Sequence, residues 1–167
     1  MASAEGLKEV GYFDCAGGGQ IRVDGTTAYI GHMANPFGTS IVDVADPKNP
    51  KLLSHIEMPE GTHSHKVHAA GDIMVRNHEL IGPGKPDDFS VGVGIYDVSD
   101  KSNPRQISTW DTVGRGVHRF DFDGMLCPQN FCDSFALTMK CSLNLARADA
   151  DMHGFAPFDF MPYCGAN

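Results

Sequence analysis

The sequence predicts an all-β chain: a partial β-propeller of two full four-stranded blades and part of a third, followed by an irregular or short-helical C-terminal tail. Three observations lead there. Glycine and proline account for 19 and 10 of the 167 residues, most of them before residue 125, and punctuate the chain at intervals too short for long helices. The segments between them alternate apolar and polar residues, as half-buried strands do. A unit of four such segments then recurs, and a four-stranded repeat of about 40 to 50 residues is the signature of propeller blades, which bury each sheet against the next around a channel.

Leu7 to Asp14, LKEVGYFD, has the apolar and aromatic character of a strand and runs toward Gly17, Gly18 and Gly19, which permit a sharp turn. GQIRVDG (19–25) alternates Ile21 and Val23 with polar neighbours, and TAYIGHM (27–33) follows as a second strand. TSIVDVADPKNP (39–50) reads as a third, closed by Pro47 and Pro50, and KLLSHIEMP (51–59) as a fourth. The unit returns as GDIMVRN (71–77), VGVGIYDVSDKSNP (91–104) and RQISTWD (105–111). The first strands of the three copies, GQIRVDG, HKVHAAG and HRFDFDG, begin at positions 19, 65 and 118. Their third and fifth residues are apolar: Ile21 and Val23, Val67 and Ala69, Phe120 and Phe122. Their seventh is glycine (Gly25, Gly71, Gly124), suited by its tolerance of positive φ to the tight turn into the next strand.

LKEVGYFD aligns with the fourth strands, Val10 matching Leu53 and Ile107, so the blade region spans 7–124 and starts on an outer strand. Two blades and part of a third do not close a ring, which typically takes at least four. Past Gly124 no blade element aligns. Phe135 to Ala148 reads as one short helix with Leu137, Cys141 and Leu145 on one face. The tail, 125–167, reads either as an extension covering the open side of the third unit or as a truncated or frame-shifted continuation.

The elements IVDVADPKNP (41–50) and IYDVSDKSNP (95–104), together with HSHKV and GDIMVRNHE, resemble the LVIVD-repeat family of bacterial β-propellers over about residues 7–124. The resemblance implies a propeller fold and no particular activity.

The formal charge of -8 argues against nucleic acid or an anionic membrane as a bulk electrostatic partner. No run approaches the roughly 18 apolar residues of a membrane helix. The start, MASAEGLKEVGY, lacks the features of a secretory signal, so the expectation is a soluble cytoplasmic product. Five cysteines, four of them within the last 41 residues (Cys127, Cys132, Cys141, Cys164), fit neither a disulfide framework nor paired zinc knuckles. The open blade face offers a surface for self-association.

Histidine is the main chemical signal. His65 and His118 share the first position of the innermost strand, and His32 and His78 also coincide in the alignment. Innermost strands converge at one mouth of a propeller channel, so His63, His65 and His118 are the candidate ligands for a divalent transition metal. Glu79 and Asp121 are the candidates for a general acid or base, or for a group that orients an imidazole. His68 aligns with Arg22 and Asp121 and is the weaker ligand candidate. Against this stands the plainer reading that these side chains solvate a channel mouth, since no diagnostic ligand spacing is present.

The loop ELIGPGKPDDFSVG (79–92) offers Lys85, Asp87 and Asp88 on a Gly/Pro scaffold and also reads as a solvated insertion. The pairs Asp43 and Asp46, and Asp97 and Asp100, suit turn caps better than calcium ligands. The expected role is therefore that of a binding or scaffold module, or a truncated product without activity of its own. The alternative is a metal-dependent oxidoreductase or hydrolase with a His-lined site.

Overall fold

Strands form where apolar and polar residues alternate and stop where glycine, proline and aspartate turn the chain. The computed structural model describes residues 6–15, 17–122 and 124, and among them the protein is all-β, with two antiparallel sheets and no helix. The first sheet is a meander of β1 (Gly18–Asp24), β2 (Thr27–His32), β3 (Phe37–Asp43) and β4 (Lys51–Glu57), hydrogen-bonded in chain order. The second contains β5 (Thr62–His63), β6 (Val67–Ala70), β7 (Ile73–Leu80), β8 (Gly92–Asp97) and β9 (Arg105–Asp111). Here β7, β8 and β9 again follow in order, while β5 and β6 share the other edge of β7. Neither sheet closes on itself among the described residues. No helix among them is long and apolar enough to cross a membrane.

The turns have local causes. Gly25 and Gly71 lie at φ 57° and 60°, as the hairpins between β1 and β2 and between β6 and β7 require. Asp43 and Asp46 accept the amides of Ala45 and Lys48, and Asp97 and Asp100 accept those of Ser99 and Ser102. Both aspartate pairs thus fasten the turns that end β3 and β8.

Side chains alternate across each sheet, so each sheet has two apolar faces to cover. Tyr29 and Ile41 of the first sheet pack against Val67, Ala69, Met74, Tyr96 and Val98 of the second, forming the central core. The far face of the second sheet, with Val75, Val93 and Ile95, is covered by Val117, Phe120 and Phe122. The far face of the first, with Ala28, Ile30 and Val42, meets Phe13 and Cys15. On that last face Ile21 and Val23 are 59% and 54% exposed, so the alternation in β1 marks an apolar face without the burial it predicted.

Three other expectations differ. Residues 7–14 carry no strand; only Phe13 and Cys15 engage the core, and Leu7, Val10 and Tyr12 are exposed. Residues 118–122 are likewise not a strand among the described residues, although Phe120 and Phe122 are buried as anticipated. The first strand of the second copy, expected from His65, begins at Val67 as β6, and a separate two-residue strand, β5, precedes it across a break at Ser64 to Lys66. The helix expected at Phe135 to Ala148, the nature of the tail, and Cys127, Cys132, Cys141 and Cys164 lie outside the described residues.

The split occurs where the two sheets touch most closely. Gln20 donates its amide to the His65 carbonyl at 2.9 Å, and His32 donates to the Ser64 carbonyl at 3.2 Å. Glycine makes this approach feasible: a Cβ at Gly31 would lie 2.6 Å from the His65 carbonyl carbon and 2.7 Å from the Ser64 oxygen. Because the obstruction is backbone, Gly31→Ala is expected to destabilise the fold by about 1–3 kcal/mol, the usual cost of overpacking. Gly18→Ala, whose nearest obstruction is the Cys15 sulfur at 3.6 Å, is expected to be close to neutral. Chemical denaturation of the two variants checks this, and equal stabilities would contradict it.

Candidate metal centre

Register brings the first two groups together. In the antiparallel pair of β5 and β7, His63 stands directly opposite Glu79, so both side chains leave the same face. His63 Nε2 donates to Glu79 Oε2 at 2.7 Å. The third group arrives from the chain beyond β9. The Leu80 amide donates to the Arg115 carbonyl, Arg115 Nε donates to the Leu80 carbonyl, and Gly116 forms a bridge with Glu79. Gly116 has φ 102°, and a Cβ there would lie 2.3 Å from the His78 carbonyl oxygen, so glycine is required for the crossing. Two residues later His118 Nδ1 reaches both carboxylate oxygens of Glu79, at 3.1 and 3.0 Å.

His65 completes the cluster from the break between β5 and β6. Its Nδ1 is 3.7 Å from Glu79 Oε2 and 3.4 Å from Asn77 Nδ2. Its Nε2 is buried with no hydrogen-bond partner. The imidazoles of His63 and His65 are 4.3 Å apart between centroids, and those of His65 and His118 are 4.8 Å apart. Three imidazole nitrogens therefore surround one carboxylate oxygen, and one ligand atom from each of the four residues lies within 4.8 Å of the others. Bond lengths of about 2.0–2.2 Å put two ligands of one ion about 3.3–3.6 Å apart in a tetrahedron and at most about 4.4 Å apart in any geometry, so an ion would draw the most distant pair together by about 0.4 to 1.5 Å. Imidazole with one carboxylate suits zinc, copper, iron or nickel.

The electrostatics match that use. Burial, and then the neighbouring His63, lower the pKa of His65 to about 4, so its ring is neutral near pH 7, as a ligand must be. Burial works to raise the Glu79 pKa, but hydrogen bonds from His63 and His118 outweigh it, and the carboxyl sits below its ordinary value. His63 and His65 are buried, whereas the His118 side chain is 53% exposed. The cluster is thus buried at His63 and His65 and reaches solvent at His118.

Of the candidates read from the sequence, His63, His65, His118 and Glu79 come together, and Asp121 does not. Asp121 Oδ1 lies 3.4 Å from His68 Nδ1, and the His68 ring packs on Phe120. His32 and His78 also lie elsewhere. His32 Nε2 and His55 Nδ1 both hydrogen-bond the Ser40 hydroxyl, at 2.8 and 3.0 Å. His78 bonds the Ser90 carbonyl and stacks on Phe89, with burial and then Arg76 depressing its pKa to about 3. Lys85, Asp87 and Asp88 remain exposed in a loop that Phe89 and Val91 anchor. Asn77, fully buried among the cluster residues, is the member that sequence reading missed. Its signal was its place two residues before Glu79, hence on the same face of an extended strand.

No family model matches the chain, and no solved structure matches it. Over 109 residues, 62% of the chain, it is similar at 29% identity to the uncharacterized protein MJ1554 of Methanocaldococcus jannaschii. The aligned stretch spans 16% of that relative's length.

Burial lowers the pKa of His55 and His68 as well as of His65 and His78, and all four bind protons more readily in the unfolded chain, near 6.5, than in the fold, where His65 is lowered to about 4 and His78 to about 3. The stability gained by keeping them neutral is present in full above the unfolded value and is lost as pH falls toward the folded values. The denaturant midpoint of metal-free protein is therefore expected to fall steadily from about pH 7 to about pH 4. A flat profile over that range would contradict the burial of these rings.

Proposed function

We propose that the chain is an LVIVD-like segment of a β-propeller and that His63, His65, His118 and Glu79 hold one divalent transition-metal ion. A four-stranded meander, followed by a sheet in which β6, β7, β8 and β9 repeat its order with β5 added beside β6, glycine turns at matching repeat positions and a further apolar segment stacked on the second sheet support the propeller arrangement. Such a ring needs blades beyond the described residues. The single observation that carries the metal reading is the convergence of three imidazoles from separate segments on one carboxylate. A network serving only to solvate a strand end has no need to desolvate two histidines and a glutamate together.

The geometry favours the metal-dependent enzyme over the scaffold. Four protein ligands would close a tetrahedral site, but a five- or six-coordinate ion keeps positions free, and they would face the open side beside His118. A divalent ion so placed would polarise a substrate oxygen or lower the pKa of water, the chemistry of a hydrolase or oxidoreductase. Buried His63 and His65 would set the ion's position, and Glu79 would balance part of its charge. His118, on the exposed rim, would stand nearest an incoming substrate.

Chelator-stripped protein titrated with zinc, manganese and nickel by calorimetry is expected to bind one equivalent of at least one of them. His63→Ala and His65→Ala should each weaken binding by at least about 10–100-fold, the loss usual for groups that merely support a ligand. His68→Ala should leave it unchanged. Absence of stoichiometric uptake, or uptake indifferent to the first two substitutions in folded protein, would overturn the metal reading.

A further inference from the structure

The break between β5 and β6 is filled by a side chain. Lys66 donates its backbone N–H to the Asn77 side-chain Oδ1 at 2.8 Å, and the Asn77 backbone N–H donates to the Lys66 carbonyl at 3.1 Å. The Asn77 side-chain oxygen and backbone N–H together thus satisfy Lys66 where the break interrupts the ladder. The first of these bonds is the one made by the side-chain amide. This contact also orients the amide, because a backbone N–H can only donate, and the atom facing it must be the carbonyl oxygen.

Nδ2 then points into the cluster. It lies 3.3 Å from Glu79 Oε2 and 3.4 Å from His65 Nδ1. An amide NH₂ has hydrogens to give and no lone pair to offer, so His65 Nδ1 must be the acceptor. The His65 proton therefore resides on Nε2, and the Nδ1 lone pair is directed toward Nδ2 and Glu79 Oε2.

We infer that Asn77 is a positioning residue that holds His65 in the Nε2–H tautomer, with the Nδ1 lone pair turned into the centre that Glu79 occupies. The inference rests on the metal reading for its purpose: a ligand nitrogen must be unprotonated, and an outer partner usually fixes which of the two it is. Asn77 does this from a position where it is fully buried, held by backbone contacts to Lys66 as well as by its amide. A metal ion would take the lone pair from Nδ2, leaving Nδ2 its contact to Glu79.

The tautomer can be read from imidazole nitrogen shifts in long-range proton–nitrogen NMR spectra of chelator-stripped, full-length protein, so the result does not depend on whether an ion later binds. The expected spectrum shows His65 with a bare Nδ1 and a protonated Nε2. Asn77→Asp keeps an oxygen for the Lys66 amide but exchanges the donor for an acceptor, and the His65 proton is expected to move to Nδ1. A protonated Nδ1 in the unsubstituted protein would overturn the inference, as would an unchanged tautomer in folded Asn77→Asp. If Asn77→Asp fails to fold, the spectrum of the unsubstituted protein decides alone. Failure of the metal titration with the expected tautomer present would remove the metal reading while leaving Asn77's control of His65 in place.

Discussion

The backbone at Ser64 and His65 leaves the second sheet's ladder to bond the first sheet, and the rest of the structure is arranged around that contact. Its two carbonyls accept amides from His32 and Gln20 of the first sheet, so they are not available to the ladder with β7. The strand must break there, and the break is tolerable because Asn77 satisfies Lys66 on both its amide and its carbonyl. Glycine at positions 19 and 31 lets the two backbones meet, since a Cβ at either would press on His65. The same contact that docks the sheets therefore aims the His65 ring away from a regular strand position and into the cluster.

The repeat explains why the cluster is built once among the described residues. The positions that carry His63, His65 and Glu79 in the second copy carry Gly17, Gly19 and Met33 in the first. Where the second copy has His65, the first has Gly19, whose lack of a Cβ admits the His65 backbone. The third copy supplies His118 at the position of His65, and the second-sheet face it covers is the face that bears Glu79. One interface between repeats has been specialised for docking and the next for polar chemistry, with His65 at the junction.

Strand positions, the glycine turns and the aspartate-fastened corners were legible in the sequence because each depends on neighbours a few residues apart. Strand-like runs closed by turn residues marked β2 and β3, their recurrence marked β7 and β8, and Gly25 and Gly71 marked the hairpins. The approach of His65 and His118 was expected from their shared repeat position, and His63 was added because it stands two residues before His65. Other features depend on distant partners and had no local trace. The break at Ser64 to Lys66 needs the Asn77 side chain, and Asp121 stands with His68 because residues 118–122 cross the sheet without joining its ladder. Ile21 and Val23 alternate as a buried strand does, yet burial requires a covering element, and Phe13 and Cys15 cover only part of that face. LKEVGYFD has strand composition but no strand partner among the described residues.

The central claim is that four side chains from separate segments form one metal centre, and anomalous diffraction tests it most directly. Crystals of the chain grown with stoichiometric zinc, measured on both sides of the zinc absorption edge, should show one anomalous peak within about 2.0–2.2 Å of nitrogens from His63, His65 and His118 and an oxygen of Glu79. Zinc bound instead at His32 and His55, or no peak between His63 and His118, would contradict the account.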